Sequence, residues 1–226
     1  MLRDSLLGLG RRLRGEPRHA PPVELPKQRL GTPYGGYAVA TELLDAGSVV
    51  YSFGIGEDVS FDLALIERFG CQVHAFDPTP RSLAWVRSQQ LPPQFSVHPF
   101  GLADYDGIAS FAPPKNPAHV SFNQLAAGRD TSRVELPVRM LSTVMRELGH
   151  ERLDVLKLDI EGGEYGVLDA LGAGSIRPRQ ILVEFHHQLR GISVSKTERS
   201  LELLAGLGYR IFDRQSGGHE FSLLRA

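Results

Sequence analysis

Two carboxylates at the end of an apolar run are the residues of this sequence best suited to chemistry. Residues 156–164 are LKLDIEGGE, so that Asp159 and Glu161 come directly after Leu156 and Leu158. Burying charge is costly, and a core strand that ends in two carboxylates therefore indicates a use for them. Such a pair can bind a cationic group, orient an acceptor or take its proton. We predict that Asp159 and Glu161 are catalytic and line a crevice for a cofactor and a substrate.

Two glycines mark a second strand end of this kind. Within residues 53–62, FGIGEDVSFD, Gly54 and Gly56 lie at a predicted strand-to-helix turn, where a ligand can approach bare backbone. Asp77 ends the following strand, at the spacing where an acidic residue reaches a ribose diol. A glycine pair alone also fits an ordinary tight turn. The glycines and the acidic residue together predict an adenosine-binding site.

The start of the first helix indicates which nucleotide is bound. A dinucleotide site usually has a third glycine and a bare helix start for its pyrophosphate. This chain has Val59 at the third position, and Glu57 and Asp58 at the helix start. These carboxylates either repel a pyrophosphate or simply cap the helix. S-adenosylmethionine has a ribose diol, a cationic sulfonium and no phosphate, so the pattern favours it over NAD. Transfer of its methyl group mainly requires that donor and acceptor are held in line.

Further side chains at the predicted crevice allow two interpretations. Glu184 and His186 alternate onto one face of a predicted strand, and with Asp159 and Glu161 they form a set that suits a divalent ion. Because carboxylates and histidines are common at strand ends, the prediction is that no metal is bound. His186 is instead predicted to be a general base, since its intrinsic pKa suits that role. His187 faces the other way.

The elements that must position these residues alternate between strand and helix patterns, which is typical of a parallel sheet covered by helices. The predicted strands are 48–54, 71–77, 94–104, 153–161 and 180–187, followed by a hairpin over 209–226. The predicted helices are 32–47, 58–69, 79–90, 141–149, 162–174 and 195–208. The hairpin makes the last strand antiparallel to the rest.

Two segments carry less pattern. Residues 105–139 are predicted to be an irregular insertion and a substrate lid, because Pro113, Pro114 and Pro117 interrupt regular elements. In the first predicted helix, Tyr34 and Tyr37 flank two glycines and either gate the crevice or pack the helix; we favour the gate, since glycines permit motion.

The composition excludes several classes of protein. The 226 residues suffice for one sizeable core, and a net charge of −1 provides no basic field for nucleic acid. Cys71 is the single cysteine, which excludes an intrachain disulfide and a Cys-rich zinc site and agrees with a cytoplasmic location. No apolar run reaches membrane-spanning length and no cleavage site follows the Leu-rich start, so we expect no transmembrane helix and no signal peptide.

The beginning of the chain is basic. Residues 1–29 contain seven Lys or Arg against three acidic residues. Residues 1–31 are predicted to be a partly flexible, solvated leader, with weak docking on a membrane surface or a partner as the alternative. The remaining residues, 32–226, are predicted to form the main domain.

Four motifs, in order between residues 32 and 190, resemble one family. LKLDIEGGEYGVL is similar to the signature K-hydrophobic-D-hydrophobic-E-G-x-E of FkbM-type methyltransferases, and VHAFDPTP and FGLAD resemble the ends of their second and third strands. VVYSFGIGEDVSFD, with CQVHAFDPTP, also resembles animal methyltransferase-like proteins near that family. The resemblance implies an α/β, class I Rossmann-like fold. Its mostly parallel, seven-stranded sheet would carry a C-terminal antiparallel hairpin strand, and S-adenosylmethionine would be the cofactor.

The resemblance also implies site residues. It places around the cofactor Ser52, Gly54, Gly56, Glu57, Phe76, Asp77, Pro78, Gly101 and Leu102, with Asp159 near the transferable methyl group. Family members often have Asp at the first strand end, where this chain has Ser52 and Phe53. We predict a methyltransferase that acts on a hydroxyl of a small molecule or sugar. The alternatives are an NAD-dependent oxidoreductase and a non-catalytic binding module on the same fold.

Overall fold

Strands and helices alternate along the chain, as the sequence predicts. The computed structural model describes residues 16–112, 133–215 and 217–226. Within these ranges the strands are β1 (Lys27–Leu30), β2 (Tyr37–Ala40), β3 (Val49–Phe53), β4 (Gln72–Phe76), β5 (Phe95–His98), β6 (Gly101–Leu102), β7 (Gly107–Phe111), β8 (Val134–Arg139), β9 (Val155–Leu158), β10 (Gln180–Glu184), β11 (Tyr209–Arg214) and β12 (Glu220–Arg225). The helices are α1 (Ser60–Phe69), α2 (Pro80–Arg87), α3 (Leu141–Leu148), α4 (Glu164–Ala173) and α5 (Val194–Gly206), and a 3₁₀ helix spans Thr41–Leu43.

A seven-stranded sheet in the order β11-β12-β10-β9-β3-β4-β5 is the centre of the fold. Its neighbouring strands are parallel, except that β12 is antiparallel to both β10 and β11. The prediction of an α/β fold with an antiparallel strand in a C-terminal hairpin is therefore confirmed. The strand order reverses between β3 and β9, and ligands of open α/β sheets bind at the carboxyl ends of the strands beside such a point.

The central strands are apolar on both faces because helices cover both. In β3, Tyr51 and Phe53 belong to a core cluster with side chains of α3, α4 and α5, whereas Val50 belongs to a second cluster with α1 and α2. All three side chains are fully buried. A near-continuous apolar run of this kind is typical of a parallel strand, and it fixes the strand firmly enough to position a site at its end.

The predicted helix over residues 32–47 is wrong. The structure has a turn, then β2, which is antiparallel to β1, and then the 3₁₀ helix. Every residue of β2 is buried, and a short run buried on all sides has no helical periodicity. A side chain at Gly36 would lie 2.4 Å from the carbonyl oxygen of Leu30. The buried amide of Gln180 bonds both backbone groups of Ala40, which ties β2 to the central sheet.

The predicted strand over residues 94–104 is two strands in different sheets. β5 is the edge of the central sheet. β6 instead pairs in parallel with β8, and β8 pairs antiparallel with β7 in the same small sheet. Pro99 lies between β5 and β6, and a proline cannot donate to a strand ladder. β7 and β8 also correct the prediction that residues 105–139 are irregular, since both of its ends are paired strands. The prolines used for that prediction lie at 113–117. The predicted lid over residues 105–139 stays a prediction, because its residues 113–132 lie outside the described residues.

The described part of the basic leader contacts the domain. The backbone N–H of Val23 donates to the carbonyl oxygen of Ile211, and Lys27 Nζ lies 2.9 Å from Asp213 Oδ1. Arg18 bonds the carboxylate of Glu198 on α5. Of the leader predicted over residues 1–31, residues 1–15 lie outside the described residues. In the described part of the chain, no helix is long and apolar enough to cross a bilayer.

Candidate active site

A cavity of about 400 Å³ lies at the carboxyl ends of the central strands, beside the point where the strand order reverses. Its volume is typical of sites for small ligands, which hold roughly 300–1,000 Å³. Of the predicted cofactor residues, those that line it are Gly54, Gly56, Glu57, Phe76, Asp77, Pro78, Gly101 and Leu102. The predicted catalytic residues Asp159, Glu161 and His186 line it as well. The structure thus brings the ends of β3, β4, β9 and β10 together with β6 at one cavity.

Ser52 is the predicted site residue that the structure does not bring to this cavity. Its side chain is fully buried in β3 and is not part of the lining. Phe53, the next residue, is enclosed in the core as well. The chain therefore approaches the cavity only after β3 has ended, at Gly54.

Gly54 is required by the protein's own backbone. Its φ of 78° is a left-handed conformation, and a Cβ there would lie 1.7 Å from the carbonyl oxygen of Asp159. The backbone N–H of Asp159 donates to Phe53, and Lys157 Nζ donates to the carbonyl oxygen of Gly54. The glycine thus lets the end of β3 pack directly on the turn after β9, and this contact places Asp159 in the cavity wall.

Asp77 organises the wall on the β4 side. Its Oδ2 accepts from the N–H of Gly56 at 3.1 Å, and its Oδ1 accepts from the N–H and the hydroxyl of Thr79 at 2.9 and 2.6 Å. Burial raises the pKa of Asp77, although these hydrogen bonds oppose the rise. A carboxylate has about four acceptor positions, so Asp77 both shapes the Gly56 turn and keeps acceptor capacity for a ligand.

The two carboxylates before α1 have different tasks. Asp58 lies one residue before the N-cap residue Val59, and its Oδ1 accepts from the N–H of Ser60, the first residue of α1, at 2.8 Å, while its Oδ2 accepts from the Thr32 hydroxyl. Glu57 forms a two-point ion pair with Arg81 at 2.7 and 3.0 Å, and this pairing lowers the pKa of Glu57. Asp58 thus satisfies the first N–H of α1, as the capping alternative expects of a residue at the helix start, although Val59 and not Asp58 is the N-cap residue. A helix start that its own carboxylate occupies is not free for a pyrophosphate.

The opposite wall is acidic and contains one histidine. His186 Nε2 lies 3.6 Å from Asp159 Oδ1 and 3.6 Å from Glu161 Oε2. β10 ends at Glu184, three residues before the end of the predicted strand, yet Glu184 and His186 both reach the cavity as their alternation predicts. His187 faces away, with its Nδ1 3.2 Å from the hydroxyl of Thr197 on α5.

The turn after β9 is held by a carboxylate that sequence analysis missed. Glu161 has a φ of 51°, which is uncommon for a residue with a side chain and needs support from its surroundings. Glu164 is fully buried, and it accepts from the N–H of Gly162 at 2.8 Å and from the N–H of His186 at 2.9 Å. It therefore joins the β9 turn to the end of β10. The signal for Glu164 is its place as the last acidic residue of LKLDIEGGE.

Electrostatics shift the protonation of this wall. Burial and the neighbouring Asp159 raise the pKa of Glu184 to about 7. Burial alone would lower the pKa of His186, but the carboxylates of Glu164, Glu161 and Asp159 raise it to about 9. The imidazole is therefore protonated at neutral pH without a ligand. A cationic ligand beside these carboxylates would weaken that hold on the proton.

Two aromatic side chains near the cavity have separate roles. Tyr37 is 3% exposed and packs edge-to-face on Phe61, so it belongs to the core. Tyr34 is 83% exposed and lines the mouth of the cavity. The packing alternative therefore describes Tyr37, and the gate stays a prediction for Tyr34. Lys157 was also missed: it lines the cavity from within β9, although its strand pattern indicates only a buried run.

Comparison with known proteins gives a consistent family. The model of the methyltransferase FkbM domain matches residues 48–211. "Probable methyltransferase-like protein 24" of Rattus norvegicus is 31% identical over 155 residues, which are 67% of this chain and 36% of that protein. The protein of the same name from Homo sapiens is 29% identical over the same length. The chain thus spans about a third of the length of these curated relatives.

The fold is also similar to a solved structure. The crystal structure of methyltransferase FkbM from Methylobacillus flagellatus KT superposes with a TM-score of 0.51. The match covers 82% of this chain and 46% of that chain, at 13% sequence identity. At this identity the likeness concerns the fold alone.

Proposed function

Because the chain belongs to the FkbM methyltransferase family, we propose that it transfers a methyl group from S-adenosylmethionine to a hydroxyl oxygen of a small molecule or sugar. The observation that carries this proposal is the cavity with two unlike walls. One wall has Asp77 beside bare glycine backbone, and the other has Asp159, Glu161 and His186. The first suits an adenosine, and the second suits a cation and an acceptor.

The residues present fit S-adenosylmethionine better than a dinucleotide. Asp77 has acceptor capacity for ribose hydroxyls, and the acidic wall favours a positively charged ligand. Asp58 already accepts from the first N–H of α1, so the position that would take a pyrophosphate is filled. This argues against the NAD-dependent oxidoreductase.

The proposed reaction divides the work between the two walls. S-adenosylmethionine supplies a methyl group on a sulfonium sulfur, and an acceptor oxygen displaces that sulfur as the new C–O bond forms and the C–S bond breaks. Asp77 binds the ribose, and Asp159 and Glu161 orient the donor and the acceptor. Before the acceptor binds, the imidazolium of His186 releases its Nε2 proton to solvent, and the hydroxyl proton of the acceptor then passes to that nitrogen. The buried position of His186 excludes competing water.

Calorimetric titration of the full chain tests the cofactor. We expect S-adenosylmethionine and S-adenosylhomocysteine to bind with a stoichiometry of one, and NAD not to bind. The titration is run in the presence of EDTA, so that the result does not depend on any metal. If neither adenosyl compound binds, the proposed function is wrong and the chain is better described as a binding module on this fold.

A further inference from the structure

We propose that Asp159, Glu184 and His186 bind one divalent metal ion in the acidic wall of the cavity. Each offers one ligand atom, and the three atoms lie within 4.8 Å of one another. This departs from the absence of metal that the sequence predicts. The sequence shows residue types at strand ends, whereas the structure shows that a histidine and two carboxylates from different strands converge.

The spacing of the ligand atoms is close to what an ion requires. Ligands about 2.1 Å from a shared ion, in tetrahedral or octahedral geometry, lie about 3 to 3.5 Å apart. His186 Nε2 and Asp159 Oδ1 are already 3.6 Å apart. All three ligand atoms lie within 4.8 Å of one another, so the set would close around an ion by side-chain shifts of about 1 Å.

The backbone that carries these ligands is rigid. Asp159 follows the last residue of β9, and Glu184 is the last residue of β10. The two strands are paired up to Leu158 and Val183, so the two carboxylates stand next to each other at the edge of the sheet. A site on the ends of paired central strands keeps its geometry without a ligand.

A second, independent observation concerns His186. Its side chain is only 5% exposed, and its buried Nδ1 has no hydrogen-bond partner at normal distance among the described residues. Nδ1 faces the fully buried Glu164 at 3.5 Å, while Nε2 points to Asp159 and Glu161. Histidines that bind metals almost always have a carboxylate or carbonyl behind the other ring nitrogen, which fixes the tautomer. Glu164 is such a carboxylate, and it leaves Nε2 directed into the cluster.

The donor set indicates the kind of ion. Carboxylate oxygens suit Mg²⁺ and Mn²⁺, and one imidazole shifts the preference toward Mn²⁺ and later metals. Three protein ligands leave positions open, and the open side faces the cavity. There the ion would bind and polarise an acceptor hydroxyl. With Nε2 of His186 on the ion, the proton of that hydroxyl would pass to Glu161, which lines the cavity outside the three ligands, and no longer to His186. That role rests on the proposed methyl transfer, whereas binding of the ion does not.

Mn²⁺ is the probe for the test, because the electron paramagnetic resonance signal of the free ion reports binding directly. The full chain is treated with chelator, desalted and titrated with Mn²⁺ alone. We expect one Mn²⁺ per chain, and at least tenfold weaker binding in the Glu184→Gln and His186→Gln variants. Competition with Mg²⁺ and Zn²⁺ then ranks the ions.

Glu220→Gln is the matched control. Glu220 lines the same cavity and carries the same charge, but it lies outside the three ligands and bonds Arg29 and Gln215. We expect its Mn²⁺ affinity to stay within about threefold of wild type. Thermal melts in EDTA check that every variant is folded.

Two results would contradict the proposed metal site. One is the absence of stoichiometric Mn²⁺ binding to the wild-type chain. The other is equal weakening in Glu184→Gln and Glu220→Gln, which would indicate diffuse attraction to an acidic cavity. Because the adenosyl titration is done in EDTA and the Mn²⁺ titration without adenosyl ligand, failure of one proposal leaves the other standing.

Discussion

Asp77 has two tasks that a single substitution separates only in part. It is 5% exposed and holds the N–H groups of Gly56 and Thr79, so it builds the turn that it also presents to the ligand. An asparagine keeps the shape but offers one acceptor oxygen and places an NH₂ group against one of these donors. Loss of the charge weakens ligand binding, and the unsatisfied donor weakens the fold.

For Asp77→Asn we therefore expect at least tenfold weaker binding of S-adenosylhomocysteine by calorimetry. We also expect the free energy of unfolding in urea to fall by about 1–3 kcal/mol, the usual cost of an unsatisfied buried donor. Wild-type affinity in this variant would remove the ribose assignment, whatever happens to stability.

At this scale the sequence predicts residues whose type is unusual for their element. Asp159 and Glu161 are predictable because carboxylates rarely end a core strand, and Gly54 because it precedes a helix. Ser52 shows the limit, since its position in a motif does not reveal that the core encloses it. Lys157 and Glu164 are missed for the opposite reason. Lys157 stands in an otherwise apolar strand, and Glu164 stands in the first turn of a helix, where an acidic residue is ordinary. Only the packing shows which partners satisfy their charges.

Among the elements, the turn between β9 and α4 decides the geometry of the acidic wall. It contains the left-handed Glu161, and Glu164 joins it to the end of β10 through two N–H groups. A glutamine at position 164 has one acceptor oxygen for those two donors. It also removes the negative charge behind His186 Nδ1, which is the largest of the influences that raise the pKa of that imidazole.

For Glu164→Gln we expect the pKa of His186 to fall below the value of about 9, as measured by NMR titration of the imidazole. Without the carboxylate, the protonated imidazole is stabilised less, and its pKa therefore falls. Turnover should fall more than affinity for the adenosyl ligand, because Glu164 positions the acidic wall and not the Asp77 wall. Glu202→Gln, an exposed substitution on α5, is the control and should leave the pKa unchanged. An unaltered titration in Glu164→Gln would contradict the positioning role.

The elements themselves were predictable where a long pattern repeats. The central strands are predictable from their apolar runs, and the helices from α1 to α5 from apolar side chains at helical spacing. The terminal hairpin is predictable from two alternating apolar runs around a turn. β2 and β7 were missed because each is short and its burial depends on neighbours far along the chain. β2 is covered by α1 and the central sheet, and β7 pairs with β8 across residues 113–132.

At the scale of the whole molecule, the reversal of strand order brings the site residues together at one edge of the sheet. Away from the site, a cluster of three histidines contributes to the pH dependence of stability in acid. His74 Nδ1 lies 3.1 Å from His98 Nε2, its ring centroid lies 4.9 Å from that of His150, and His150 Nδ1 lies 2.7 Å from the Tyr51 hydroxyl. Burial, together with its two histidine neighbours, lowers the pKa of His74 to about 4. Burial also lowers the pKa of His98 and His150.

The sign of the effect follows from proton uptake. An unfolded chain protonates its histidines below a pKa of about 6.5, whereas folded His74 stays neutral down to about 4. The unfolded state therefore binds more protons in this window, and the cluster destabilises the fold as the pH falls from about 6.5 to 4. Burial raises the pKa of Asp62 to about 6. Asp62 therefore binds a proton more readily in the folded state, and it stabilises the fold as the pH falls through this window. The slope of the free energy of unfolding against pH is therefore the sum of opposing contributions. The contribution of the cluster has to be measured as the difference between wild type and a variant that lacks one of its histidines.

His74→Gln provides that difference, because glutamine is neutral at every pH and keeps a polar group beside His98. Between pH 7 and pH 5 we expect wild type to lose more free energy of unfolding than the variant, by about 1 kcal/mol once the partial exposure of the cluster is allowed for. Urea unfolding at the two pH values measures both chains. His187→Gln, at another histidine whose pKa is lowered to about 4, serves as a comparison away from the cluster. Parallel losses in wild type and His74→Gln would contradict a contribution of His74 to acid sensitivity.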